Sequence, residues 1–272
     1  MTAKKEFDHL GRRKAIKFGL GAASIATLTS VGAPEAATPK TPFAVNQTFI
    51  PIADSSQQFP VRRIYCIGRN YAAHAIEMGS DPTREPPFFF QKPSDAIQFV
   101  PPNKIVDHAY PTLTKNYHYE VELVAALKMG GKNITPEKAL DHVFGYALGL
   151  DMTRRDLQND MKKQGRPWCI GKAFDHSAPI GPITPKAQAG DVNNAPIDLL
   201  VNGQVRQTSS VAKLIWNVAE TIEHLSAAWE LQPGDLIYTG TPEGVAAVVA
   251  GDTLVGQVAG LGSLTVKIDP AK

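Results

Sequence analysis

Beyond Pro111 the chain is cut into short apolar runs by glycine and proline turns, and this rhythm limits the fold more than any other feature. "VELVAAL", "VFGYALGLDM", "IDLLVNG", "GDLIYTG" and "SLTVKID" are strand-length pieces bounded by turn residues. Helical periodicity is sparse, and "SSVAKLIWNVAETIEHLSAAW" is its clearest instance. The pattern predicts an α+β chain, β-rich and with few helices, with "YHYEVEL" near the middle of the β core. Upstream, residues 38–60 read as an arm with one strand in "FAVNQTFIPI". Residues 61–110 follow with strand "VRRIYCIG", helix "NYAAHAIEMG" and apolar run "PPFFFQKP". The expected organisation is a leader over 1–37, an N-terminal arm and small segment over 38–110, and a β-rich domain over 111–272.

With 43% hydrophobic and 20% charged residues over 272 positions, the composition is that of an ordinary globular protein rather than a disordered one. The formal charge of +2 comes from the first 37 residues, which hold six Lys/Arg against three acidic residues. The remainder has 22 basic and 23 acidic residues, so nothing points to a nucleic-acid partner. The leader "GRRKAIKFGLGAASIATLTSVGAPEAATPK" has the layout of a twin-arginine export signal: Arg12 and Arg13, a mild apolar run, then small residues and proline. An amphipathic helix or plain tail is the other reading. The run is too short and mild for a membrane span, so no stable membrane insertion is expected. Export to the periplasm is the expectation, with the cytoplasm as alternative. Cys66 and Cys169 are the only cysteines and make no disulfide framework; Cys66, in the strand-like "RIYCIG", is expected as a buried thiol, with one bridge left open.

In "YHYEVEL", read as a strand, Glu120 and Glu122 point to the same face. Two adjacent carboxylates repel, or one takes a proton, unless a cation lies between them. Asp151 ends the apolar run "FGYALGLD" and is a candidate third ligand, completing an all-oxygen site suited to Mg²⁺ or Mn²⁺, with Ca²⁺ as the alternative, rather than zinc. Spacing alone leaves two other readings open: a solvated Glu-x-Glu strand face, and Asp151 as a helix cap. In "HAIE", His74 and Glu77 lie three apart, on one face of a short helix.

Six ordered motifs, "IYCIGRNYAAHAIEMG", "PPFFFQKPSDAI", "YHYEVEL", "GYALGLDMTRRDLQ", "GKAFDHSAPIGP" and "GDLIYTGTPEGV", resemble the fumarylacetoacetate hydrolase family, and the first two are similar to its bacterial fumarylpyruvate-hydrolysing branch. The resemblance implies that family's mixed β roll or sandwich with a small N-terminal segment. It implies Mg²⁺ or Mn²⁺ on Glu120, Glu122 and Asp151, and a homodimer. It implies hydrolysis of a small oxo-acid, an acylpyruvate whose 1-carboxylate and 2-oxo group chelate the metal, with the C3–C4 bond broken to give pyruvate and a carboxylic acid. His74 and Glu77, on a lid, are implied to activate water, and Lys172 to steady developing charge. Arg69, Lys92, Arg155, Gln158 and Thr241 are implied substrate contacts, Arg155 having a structural ion pair as its alternative. The same motifs occur in decarboxylases and tautomerases of oxaloacetate and in hydroxydienedioate isomerases. A catalytically silent dicarboxylate-binding member is a further alternative. Export is unusual for a family whose aromatic-catabolic members work in the cytoplasm.

Overall fold

Which strands become buried and which stay at an edge is set by how apolar they are on each face. The structure, a computed structural model, describes residues 40–79 and 84–270, and the elements discussed below fall in the compact unit Val45–Lys272. The expected leader lies outside the described residues. Val121–Leu127 is buried at every position, and Val143–Leu150 at all but one, so these two strands sit at the centre of an eight-stranded sheet. They pair antiparallel, Val121 opposite Leu150 and Glu122 opposite Gly149. Outward on one side lie Leu236–Tyr238, Ile64–Ile67 and Phe89–Lys92; on the other lie Ala178–Ile180 and Ile97–Phe99, with Thr184–Pro185 alongside Val143–Leu150. Leu236–Tyr238 runs parallel to Ile64–Ile67 and antiparallel to Val121–Leu127, which makes the sheet mixed.

Alternation then separates two cores. Val121, Leu123 and Ala125 pack with Ile197, Leu199, Leu254 and Leu264 of a second, five-stranded sheet. Val124 and Ala126 pack on the opposite side with Ile64, Ile180 and Tyr238. Fully burying an aliphatic side chain contributes about 1.5–3 kcal/mol, so the β-rich class expected from the sequence is stabilised mainly by these two layers. The second sheet orders Gln204–Ser210, Pro196–Val201, Thr253–Val258, Gly262–Asp269 and Ile105–Ala109. Strands from 38–110 thus hydrogen-bond into both sheets with strands from 111–272. Asp235, fully buried, pins one such junction: Arg63 donates to both of its carboxylate oxygens at 3.1 and 2.8 Å, just before Leu236 pairs with Ile64.

Two local expectations change. "YHYEVEL" is not one strand. Tyr117–His118 belongs to a three-stranded sheet with Thr153–Arg154 and Ala247–Val248, and the chain crosses at Tyr119–Glu120 before Val121–Leu127 begins. The crossing is held by Glu120 O, which accepts from Asp151 N–H at 2.8 Å, and by Val121 N–H, which donates to Gln207 Oε1 at 3.1 Å. The long helical pattern is likewise split into a 3₁₀ turn at Val211–Lys213 and a helix at Val218–Ala228, because Asn217 and Glu220 form a reciprocal capping box that starts a new helix. Cys66 is buried, Cys169 exposed, and both are free thiols. No helix among the described residues is long and apolar enough to cross a membrane.

Candidate active site

The three carboxylates expected from the sequence converge. Glu120 sits in the strand crossing, Glu122 two residues on, and Asp151 directly after Val143–Leu150. The backbone bond from Asp151 to Glu120 sets them side by side. One oxygen from each lies within 4.8 Å of the others, and all three side chains are buried. Asp151 caps no helix: Arg155–Lys163 begins after Arg154, without a side-chain cap. Asp151 Oδ1 is buried with no hydrogen-bond donor. Its one close partner is Lys92 Nζ, 2.8 Å away in a buried ion pair. Buried oxygens rarely go unpartnered. Three buried carboxylates that bring one oxygen each within 4.8 Å of the others make an all-oxygen donor set that fits a hard divalent cation, Mg²⁺ or Mn²⁺, which Glu120, Glu122 and Asp151 could hold.

Cations of the chain surround the triad. Lys172 Nζ donates to Glu120 Oε2 and Asp151 Oδ2 at 2.8 Å and to Thr153 Oγ1 at 2.7 Å. Arg155 donates to Glu120 Oε1, to Gln158 Oε1 at 2.6 Å and to His118 Nδ1 at 3.4 Å. Burial opposes ionisation of Glu120, but Lys172 and Arg155 outweigh it and hold that carboxyl below the usual range. Burial also disfavours the Lys172 ammonium, yet Asp151 and Glu120 raise it above its ordinary value. Glu122 has no such partner. Burial, then the charges of Asp151 and Glu120, push it well above the carboxylate range against one Gly240 N–H donated to Oε2 at 2.8 Å. The repulsion read from "YHYEVEL" is therefore concentrated on Glu122.

His74 and Glu77 lie on the helix Ala72–Glu77. His74 lines the cleft that holds the triad. Its Nδ1 is 3.0 Å from Glu77 Oε2, and Glu77 Oε1 accepts from Gly244 N–H at 3.0 Å. Burial works against ionisation of Glu77, and the bonds from His74 and Gly244 prevail, holding it below its ordinary value. An ionised Glu77 accepts the Nδ1 proton, which leaves Nε2 with its lone pair.

The remaining expected residues divide. Arg69, Arg155, Gln158 and Thr241 line the same cleft. Thr241 Oγ1 accepts from Gln207 Nε2 at 2.8 Å. Arg155 makes the ion pair with Glu120 that was its alternative reading. Lys92, expected as a substrate contact, instead lies behind Asp151, buried, and donates to the carbonyls of Met152 and Lys172. Unforeseen were Thr153 beneath Lys172, His118 beside Arg155, and the wall of Phe90, Trp168, Asn159 and Lys162. For Asn159 and Lys162 a signal existed: with Arg155 and Gln158 they fall on one helical stripe.

A strand-rich mixed sheet with a buried carboxylate triad beside a His–Glu pair is the framework of a divalent-cation enzyme. Residues 63–269 match the model of the fumarylacetoacetate (FAA) hydrolase C-terminal domain, and the chain belongs to the fumarylacetoacetate hydrolase family. It is 51% identical over 164 residues to a fumarylpyruvate hydrolase of a Ralstonia species, covering 60% of this chain and 85% of that one. A mitochondrial oxaloacetate tautomerase of Rattus norvegicus is 39% identical over 211 residues, covering 78% of this chain and 93% of the relative. The crystal structure of fumarylpyruvate hydrolase from Pseudomonas aeruginosa, in complex with Mn²⁺ and pyruvate, superimposes with a TM-score of 0.84 at 56% identity, covering 85% of this chain and all of the other.

Proposed function

We propose that this chain is a metal-dependent hydrolase that cleaves the C–C bond of an acylpyruvate of the fumarylpyruvate kind, yielding pyruvate and a carboxylic acid. The observation that carries the reading is that the buried triad shares one cleft with His74, whose ring Glu77 holds from behind. The likeness to the two fumarylpyruvate hydrolases agrees with it. Glu120, Glu122 and Asp151 would hold Mg²⁺ or Mn²⁺, which when bound supplies a Lewis acid for the oxo-acid end of the substrate. Lys172 keeps Glu120 and Asp151 oriented, and offers positive charge where the pyruvate portion gains negative charge. Arg69, Gln158 and Thr241 supply donors for the substrate's oxygens. His74 Nε2 takes a proton from water while Glu77 holds the ring and balances the imidazolium. Water's hydroxyl joins the acyl carbon, the C3–C4 pair leaves with the pyruvate carbon, and that carbon receives the proton.

Turnover tests it: the purified chain with Mn²⁺ should hydrolyse fumarylpyruvate, and chelation should abolish the activity. His74→Ala should lower hydrolysis by about 10²–10⁴-fold, the usual worth of a positioned base. Oxaloacetate tautomerisation or decarboxylation is the second reading, favoured by the 39% identical tautomerase. It needs no water-activating base, so a chain of that kind would turn over oxaloacetate and ignore acylpyruvates. The reading extends to the whole chain as a homodimer, exported through the paired Arg12 and Arg13 of its leader.

A further inference from the structure

The helix Arg155–Lys163 turns one stripe toward the cleft: Arg155, Gln158, Asn159 and Lys162 all line it. Arg155, at the inner end, touches Glu120. At about 1.5 Å of rise per residue, Lys162 stands about 10 Å farther out along the helix. The adjoining wall is aromatic. Phe90 and Trp168 have ring centroids 5.8 Å apart, and Phe88 meets Trp168 edge-on at 5.2 Å. Phe88 lies over Gly68, where a Cβ would come 2.1 Å from its ring, and carries the Arg69 guanidinium 5.4 Å above it.

Charge is balanced at the inner end of the cleft and unbalanced at the outer end. Lys92, Arg155 and Lys172 each have a carboxylate partner, whereas among the described residues neither Arg69 nor Lys162 makes a salt bridge. Lys162 is exposed at the cleft mouth, and partial desolvation first, then the charges of Arg69 and Arg155, hold its ammonium below its ordinary value, so these cations already act on one another. An anion between them would relieve that repulsion.

We infer that the outer cleft is a second anion subsite, in which Lys162 and Arg69 bind a carboxylate at the far end of the acyl group while Phe90 and Trp168 flank the chain. What these residues would read is the far carboxylate that separates such an acyl chain from one ending in a methyl group. This rests on the hydrolase reading above. It makes Lys162 a specificity-determining residue. Oxaloacetate, with two carbons between its carboxylates, is too short to engage both ends.

The test compares the Mn²⁺-loaded wild type with Lys162→Met and Lys162→Arg on fumarylpyruvate and on its analogue with a methyl group replacing the terminal carboxylate. Lys162→Met should raise KM for fumarylpyruvate about tenfold or more, as loss of a hydrogen bond to a charged group does, and leave KM for the methyl analogue within about twofold. Lys162→Arg should retain most of the preference. Equal shifts on both substrates, or none on either, would overturn the subsite. If the wild type hydrolyses neither substrate, the hydrolase reading fails separately. Calorimetric binding of fumarate against crotonate to the Mn²⁺-loaded chain then decides the subsite: a fumarate preference lost in Lys162→Met supports it, and no preference in the wild type overturns it.

Discussion

Asn70 joins three segments through one short side chain. Its amide donates to the carbonyls of Trp216 and Thr239 at 2.8 Å each, and Oδ1 accepts from Trp216 N–H at 2.8 Å. The residue after Thr239 is Gly240, whose N–H reaches Glu122. Gly240 has φ +96°, and a Cβ there would lie 2.7 Å from that of Asn70, so the contact requires glycine. Each buried partner left unsatisfied costs about 1–3 kcal/mol, so Asn70→Ala should lose about 3 kcal/mol or more in denaturant unfolding. Glu122→Gln acts in the opposite sense in metal-free buffer. It replaces the carboxyl whose ionisation burial and two neighbouring carboxylates oppose with a neutral amide, and the variant should melt above the wild type. With Mn²⁺ at a hundred times its Kd, the wild type should gain about 2.7 kcal/mol and the variant much less. Melting curves with and without Mn²⁺ check both statements; equal stabilisation of the two proteins would remove Glu122 from the ligand set.

At the scale of elements, His108 ties three sheets together. It lies on Ile105–Ala109, bonds through one ring nitrogen to Tyr117 and through the other to Gln98 next to Ile97, and stacks on Tyr117 at 5.8 Å. Burial first, with the charge of His176, pushes it down to about 4. The unfolded chain, with its ordinary histidine near 6.5, therefore binds the proton first. Stability from this group is complete above pH 6.5, falls as the pH drops toward 4, and totals about 3 kcal/mol. Denaturant titrations from pH 7 to 4 should show that slope, and His108→Gln should flatten it; an unchanged slope would place the acid sensitivity elsewhere. Elements were readable from the sequence where the signal is local. Apolar runs between turn residues mark Val121–Leu127 and Val143–Leu150, while the Asn217–Glu220 pair, three residues apart, is the local signal that divides the long helical pattern. The crossing at Tyr119–Glu120 was not, because its anchors are Gln207 and Asp151, residues remote in sequence.

For the whole molecule the same division holds. Glu120, Glu122, Asp151, His74 and Lys172 were legible because motifs carry them, and the structure brings them to one cluster. The position of Lys92 behind Asp151 and the joining of segments by Asn70 were not, since only the assembled sheets create those neighbours. The proposed export is tested on the complete chain. Arg12→Lys combined with Arg13→Lys should retain the protein in the cytoplasm by cell fractionation, whereas a wild-type chain found there would sink the assignment.

Arg63 and Asp235, joined by two hydrogen bonds, are 172 residues apart, and the strands that follow them pair in parallel at the heart of the sheet. At roughly 5–20 residues per second, a ribosome takes about ten to thirty-five seconds to travel between them. Throughout that interval the nascent "IYCI" strand has no partner on its central side, and Gly240, which must donate to Glu122, has not been made. The active centre is thus a late product of translation. A chain stalled before Leu236 would expose an open apolar edge, the kind of surface that chaperones hold and that aggregates when they do not.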